Sequence, residues 1–281
     1  MSVIILGSSG MLGSDILTEF KNNKISVTGL SSRDIDITSQ KSIETTLENY
    51  PAIKLIINCA AYTAVDNCET ETKRALSVNG TGPGLLANYC AKHNITLIHF
   101  STDYVFDGKK EEPYIESDPT NPINIYGQSK LKGEKLIQES TCSYYIFRVQ
   151  WLFGENGNHF IKTIIRLANE RTELKIVNDQ WGSPTYTKDI AKTVFEFLEL
   201  SPAFGIYNLA NQEYCNWYDF AKKIVELKKL NCTIYPQPSE AYPVPATRPK
   251  NSRLNCEKLY NTGVSKLRTW QEACKEFILD K

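Results

Sequence analysis

Val3-Ile4-Ile5-Leu6 is a short apolar run of strand length, and the chain leaves it through Gly7-Ser8-Ser9-Gly10-Met11-Leu12-Gly13 straight into an amphipathic stretch carrying Ile16, Leu17 and Phe20. A strand, a glycine turn and a helix in that order lift a glycine motif above coincidence. The spacing is G-x-x-G-x-x-G. Each glycine lets the backbone turn sharply or approach a pyrophosphate, whose charge is favoured by the free N–H groups and dipole at the helix start. A glycine-rich turn with no ligand is the competing reading.

The rest of the chain continues this rhythm. Strand-length runs at 3–6, 25–29, 54–57, 95–100 and 144–149 alternate with helical stretches near 11–21, 39–49, 69–92 and 124–139. The alternation predicts an α/β fold, a doubly wound parallel sheet with helices on both faces. After Arg148 the pattern changes to a helix near 158–169, a strand at 174–177, a helix at 187–199 and a strand at 205–209. A proline-rich stretch from Pro236 to Pro249, read as an ordered loop over a pocket, precedes helices near 255–260 and 266–279.

Composition narrows the function classes. With 281 residues, 41% of them hydrophobic, the chain can bury a sizeable core. Lys+Arg 32 balances Asp+Glu 32, so no global field draws it to nucleic acid or to acidic membranes. Residues 1–13 lack the features of a secretory signal and no run is suited to span a bilayer, so a cytoplasmic location is expected. The eight cysteines show no C-x-x-C pair and no metal-ligand spacing, and none of the three histidines has a ligand partner nearby in sequence. No metal is expected, and the partner is a small molecule.

Ser101 to Lys130 carries the chemistry. Tyr126 and Lys130 are four apart and share a face if the segment is helical. A nearby ammonium lowers a phenol from its ordinary pKa of about 10, so Tyr126 is a candidate proton donor to a forming alkoxide. Thr102 follows the apolar run ending at Phe100, beyond the carboxyl end of a strand, where open α/β sheets bind ligands. Its hydroxyl is a candidate donor to a substrate oxygen. Ordinary surface neighbours are the competing reading, since Tyr-x-x-x-Lys often occurs by chance. Another loop of small residues, Asn58-Cys59-Ala60-Ala61-Tyr62-Thr63-Ala64-Val65-Asp66, follows the run at 55–57; it suits a flat cofactor or a tight packing corner.

Together the glycine turn, the Asn58 to Asp66 loop, Ser101 to Gly108 (STDYVFDG) and Tyr126 to Lys130 resemble the extended short-chain dehydrogenase/reductases. Within them the chain resembles the dTDP-4-dehydrorhamnose reductases, through Phe147 to Trp151, Asn178 to Thr185 and Arg248 to Leu254. It departs at Gln150, where the tryptophan motif usually has serine. The resemblance implies a Rossmann-like NAD(P)-binding domain over 1–148, to which segments near 178–209 partly return, and a smaller α/β substrate-binding domain over 149–281. It implies NAD(P)H-dependent reduction of the C4 ketone of dTDP-4-dehydro-L-rhamnose, with Thr102, Tyr126 and Lys130 catalytic. Cofactor contacts then fall to Gly7, Gly10, Met11, Leu12 and Gly13, to Ser31, Ser32, Arg33, Asp36 and Ile37, to Ala60, Ala61 and Tyr62, and to Tyr126 and Lys130. Asp103 and Trp151 would seat the hexose. Arg148, Arg248 and Arg253 are candidates for the diphosphate, and Arg248 is favoured because the proline-rich loop can carry it over a nucleotide.

For cofactor choice, an acid on the ribose about 20 residues past the glycines selects NAD, and a basic residue accommodates NADP. Ser31-Ser32-Arg33 predicts NADPH, with NADH also accepted; Asp34 is the nearest acid and Asp36 approaches the adenine end. A monomer or homodimer is expected. The alternatives are a reductase of a UDP-linked 4-keto sugar, an epimerase/reductase, and a non-catalytic relative resembling the methionine adenosyltransferase regulatory beta subunit. Arg148 and Trp151, spaced as in the sugar reductases, disfavour the last.

Overall fold

The structure is a computed structural model that describes residues 2–50 and 52–279. In chain order the elements are β1 (Ser2–Leu6), α1 (Met11–Asn22), β2 (Ser26–Leu30), α2 (Gln40–Leu47), β3 (Ile53–Asn58), α3 (Val65–Thr70), α4 (Thr72–Ala75), a π-helical turn (Leu76–Thr81), α5 (Gly82–His93), β4 (Thr96–Thr102), α6 (Ile125–Glu139) and β5 (Tyr144–Val149). They continue with β6 (Leu152–Phe153), α7 (Phe160–Glu170), β7 (Glu173–Val177), β8 (Trp181–Gly182), β9 (Thr185–Tyr186), α8 (Thr187–Leu200), β10 (Gly205–Asn208), β11 (Cys215–Asn216), α9 (Trp217–Lys228), β12 (Thr233–Gln237), α10 (Glu257–Tyr260) and α11 (Trp270–Leu279).

Six strands form one parallel sheet in the order β10-β5-β4-β3-β1-β2. Its strands are apolar on both faces because both are covered. On one face Ile16 and Phe20 of α1 and Ile190, Val194 and Phe197 of α8 pack against Val3, Ile5 and Phe147. On the other, Ile43, Leu86, Cys90 and Ile137 pack against Ile4, Ile56 and Leu97. This is the doubly wound, Rossmann-like α/β arrangement. A separate core brings together Phe153, Ile164, Leu174, Phe220, Ile224, Ile234 and Phe277 from the carboxyl-terminal half. From that half, α8 packs on α1 and β10 pairs with β5.

Of the differences from the sequence expectation, which include the unread strand β12, two bear on the site. The helix expected near 69–92 is divided into α3, α4, the π turn and α5. In its middle Asn79 is buried, and a Cβ at Gly133 of α6 would overlap the Asn79 carbonyl: only glycine lets the two elements come this close. Such turns, with their extra residue, concentrate at functional sites. The second difference is α9, which the sequence reading passed over. Asn216 caps it by accepting from the Asp219 N–H, and Trp217, Phe220, Ala221, Ile224 and Val225 follow at helical spacing.

α6 is tied to the sheet by a buried ion pair. Arg148, at the end of β5, donates from Nε to Glu134 Oε1 (3.0 Å) and from Nη2 to Oε2 (2.7 Å), and both side chains are buried. Its Nη1 donates to the Glu116 carbonyl, and the guanidinium lies over the Phe106 ring. Removing one partner leaves a desolvated charge. Arg148→Met is therefore expected to cost about 3–5 kcal/mol in denaturant unfolding, and Arg148→Met/Glu134→Leu to recover most of that loss.

Candidate active site

The glycine turn closes on itself before α1. Gly7 has φ +73°, in the left-handed region, and its carbonyl accepts from the Gly10 N–H at 3.0 Å. A Cβ on Gly13 would overlap that carbonyl, so the helix start stays pressed against the strand end. No side chain caps α1, which leaves its first N–H groups for an anion. Leu12 is buried, while Met11 is half-buried, near Gly154 and Gly157.

At the end of β2, Asp34 is drawn into the turn. Its Oδ2 accepts from the Ser31 N–H and hydroxyl, both at 2.7 Å, and these bonds hold the carboxyl below its ordinary value. Ser32 and Arg33 are exposed. Asp36 accepts from the Thr38 N–H and hydroxyl, and the buried Ile37 packs beside Gly82.

At the end of β3, Asn58 is buried and accepts from the Ala60 N–H at 3.1 Å. Ala60 and Ala61 lead to Tyr62, whose backbone is held on both sides by Asn79. Asn79 Oδ1 accepts from the Tyr62 N–H (2.8 Å) and its Nδ2 donates to the Tyr62 carbonyl (2.9 Å). The same Nδ2 donates to Ser129 Oγ of α6, which donates to the Tyr126 carbonyl. Asn79 thus links the loop to the helix carrying Tyr126. The sequence reading missed it; the signal was an amide followed by the helix-weakening Gly80, Gly82 and Gly84.

β4 and α6 bring Thr102, Asp103, Tyr126 and Lys130 together. Asn124 caps α6 by accepting from the Gly127 N–H at 2.8 Å. Burial chiefly, with the Asp103 carboxyl adding to it, raises Tyr126 above its ordinary value, while a hydrogen bond with the Thr102 hydroxyl opposes. Thr102 donates to Asp103 Oδ1 at 2.8 Å and accepts from the Tyr104 N–H. Asp103 is buried, which pushes it up to about 7, and among the described residues its Oδ2 has no hydrogen-bond partner. Ser252, which the Arg248 to Leu254 segment contains but to which the sequence reading gave no site role, acts on the same carboxyl.

Three expectations need correction. Lys130 was expected to lower the phenol, but its Nζ turns to the Phe100 carbonyl (2.5 Å) and His99 Nε2 (3.3 Å), and burial leaves Tyr126 raised. Thr102 was expected to offer its proton to the substrate, but that proton is directed to Asp103. Arg148 was a candidate for the diphosphate, but it is buried against Glu134.

Of the other arginines, Arg248 forms a two-pronged pair with Asp66, Nη1 to Oδ1 at 3.0 Å and Nη2 to Oδ2 at 2.9 Å, fastening the proline-rich loop beside the Ala60–Tyr62 loop. Arg253 donates to Asn251 and to the Glu111 carbonyl. Trp151 has φ +46°, a strain of about 1–3 kcal/mol for a residue with a side chain. Its ring stacks on Trp217 of α9 with centroids 3.5 Å apart. Such a stack contributes about 0.5–1.5 kcal/mol, so it offsets only part of the strain. Gly182 supplies the rest of the seat, because a Cβ there would lie 2.6 Å from the indole. Among the described residues no group of His, Cys, Asp and Glu is arranged to hold a metal ion, and no helix is long and apolar enough to cross a membrane.

This arrangement can present an anion to α1, a flat ring to the loop after β3, and an oxygen to Thr102 and Tyr126. Comparison with known proteins agrees over the whole chain. The chain is 36% identical over 279 residues to the spore coat polysaccharide biosynthesis protein SpsK of Bacillus subtilis, covering 99% of this chain and 97% of that protein. It is 39% identical over 238 residues to the dTDP-4-dehydrorhamnose reductase of Escherichia coli, covering 80% and 78%. The crystal structure of dTDP-4-dehydrorhamnose reductase from Bacillus anthracis in complex with NADP superposes with a TM-score of 0.95 at 35% identity, covering 100% of this chain and 99% of that one. The family described as the RmlD substrate binding domain matches residues 1–281, and the chain belongs to that family.

Proposed function

We propose that this chain uses NADPH to reduce the C4 ketone of dTDP-4-dehydro-L-rhamnose, giving dTDP-L-rhamnose. The observation that carries the reading is Thr102 at the end of β4 gathered with Tyr126 and, one helical turn on, a buried Lys130 of α6, in a chain similar end to end to an NADP-bound reductase. We assign residues 1–148 to cofactor binding and 149–281 mainly to the sugar nucleotide, in a cytoplasmic monomer or homodimer.

The residues fit the cofactor. The tight turn that Gly7 and Gly13 let close and the uncapped start of α1 suit its pyrophosphate, with Gly10, Met11 and Leu12 alongside. Ser31, Ser32 and Arg33 face the ribose phosphate, Asp36 and Ile37 the adenine, and Ala60, Ala61 and Tyr62 the central part. When bound, NADPH supplies the hydride that adds to the ketone carbon. Tyr126, protonated throughout the neutral range, gives its proton to the oxygen. Lys130 holds the nicotinamide ribose. Trp151 lies against the sugar and Arg248 reaches the diphosphate.

Asp103 has a double part. When its carboxyl is protonated, its O–H donates to Thr102, and the Thr102 proton is free to stabilise the charge developing on the substrate oxygen. Its unpartnered Oδ2 accepts from a sugar hydroxyl.

Three outcomes are expected. Tyr126→Phe lowers kcat by about 10²–10⁴-fold with NADPH affinity unchanged; near-normal turnover would remove the phenol from the mechanism. NADPH is preferred to NADH, and Arg33→Ala narrows the preference, read from kcat/KM with each cofactor; an NADH preference in the unaltered protein would assign the ribose to Asp34. Asp103 is protonated below its transition, so kcat/KM falls as pH rises through about 7. Asp103→Asn, whose amide always donates to Thr102, flattens that limb of the pH profile. Assaying dTDP- and UDP-linked 4-keto sugars side by side tests the substrate, and no turnover on either would leave a binding role.

A further inference from the structure

The two neighbours of the Lys130 nitrogen do not both suit an ammonium. Nζ lies 2.5 Å from the Phe100 carbonyl, a good acceptor, and 3.3 Å from Nε2 of the fully buried His99. The proton that His99 carries can be read from the far side of its ring. The Ala60 N–H donates to Asn58 at 3.1 Å, so the Asn58 oxygen faces Ala60. The Asn58 NH₂ then faces His99 Nδ1, 3.1 Å away. An amide NH₂ only donates, so Nδ1 accepts, and the neutral ring carries its proton on Nε2. That N–H points at Lys130. An ammonium has three donors and no lone pair, so it cannot receive it. Turning the Asn58 amide over merely moves the donor–donor conflict to Ala60. Charging the imidazole puts a second donor against Asn58, and burial holds His99 well below its ordinary value.

We propose that His99 is a positioning residue for Lys130: its Nε2–H is donated to the lysine nitrogen and so favours, in the free protein, the neutral amine that donates to the Phe100 carbonyl. The inward hydrogen-bond chain runs from Ala60 through Asn58 and His99 to Lys130, and so couples the loop after β3 to α6. The surrounding charges allow a neutral amine. On α6, Glu134 is already paired with Arg148, and Tyr126 is a protonated phenol. From the end of β3, Cys59 is raised by burial and stays a thiol. Asp103 lies beyond the end of β4 and is half-protonated near neutrality. Burial also draws Lys130 down from 10.5 to about 8, against the pull of Glu134. When the cofactor's phosphates and ribose hydroxyls arrive, the lysine nitrogen turns from His99 toward the ribose, takes up a proton from solvent and becomes the ammonium that holds it. This consequence rests on the proposed cofactor reading; the tautomer does not.

The first measurement needs no ligand. In protein labelled with ¹⁵N at its three histidines, the His99 resonance is the one lost in His99→Gln. The expected state is a neutral ring protonated at Nε2; an Nδ1–H tautomer or an imidazolium would overturn the proposal. The second is calorimetry of NADPH binding near pH 8 in buffers of differing ionisation enthalpy. The unaltered protein is expected to take up a proton. His99→Leu, without the donor, raises the Lys130 transition by about one pH unit or more and binds with little uptake. His99→Gln, whose NH₂ supplies the donor again, recovers part of the uptake. Equal uptake by the unaltered protein and a folded Leu variant would also overturn it. If the Leu variant does not fold, the tautomer and the Gln variant still decide, and a protein that binds no NADPH refutes the cofactor reading while leaving the tautomer result standing.

Discussion

The ion pair between Arg148 and Glu134 joins the two elements on which the site depends. Arg148 is the penultimate residue of β5 and Glu134 lies on α6, one turn beyond Lys130. Bidentate geometry and a third bond to the Glu116 carbonyl give the buried guanidinium acceptors for its protons, without which desolvation would exceed the attraction. With α6 seated this way, Gly133 touches the π turn, Ser129 meets Asn79, and Tyr126 and Lys130 stand at the carboxyl end of β4. The helix cannot rotate without breaking the pair.

Burial sets the electrical character of the site. Tyr126, Asp103, Cys59, His99 and Lys130 are all pushed toward their neutral forms, and in each case desolvation is the largest cause. A free protein with few fixed charges around its reacting groups leaves the charged cofactor and the developing alkoxide to bring charge in. Protons then follow: Asp103 and Lys130 are the two groups placed to hold or take one near neutrality. Hydrogen-bond directions, fixed by backbone N–H groups at Tyr104 and Ala60, decide which way each proton points.

The far half of the molecule contributes shape. Trp151 is held in a strained backbone conformation by Trp217 and by the missing side chain at Gly182, and Arg248 is parked on Asp66 beside the loop after β3. A strained residue persists only where its surroundings over-determine it, as Trp217 and Gly182 do here.

The sequence by itself determined the sheet, the glycine turn and the candidate residues, because these rest on local patterns. Apolar runs of strand length, helical spacing and small residues after strands can be read within a few positions, and the resemblance covers nearly the whole chain. The sheet of five amino-terminal strands and β10 follows those runs closely. The same kind of signal was present for α9, in Asn216 and the apolar spacing after it, and was passed over. What only the tertiary structure decided is where protons and charges go. Arg148 looked the same in sequence as Arg248, yet one is buried against Glu134 and the other is half-buried on Asp66. Tyr126 and Lys130 are on one helix as spacing predicts, but the lysine nitrogen answers to His99 and Phe100 of another element. Desolvation and hydrogen-bond direction depend on atoms brought together from distant parts of the chain, and no local pattern records them.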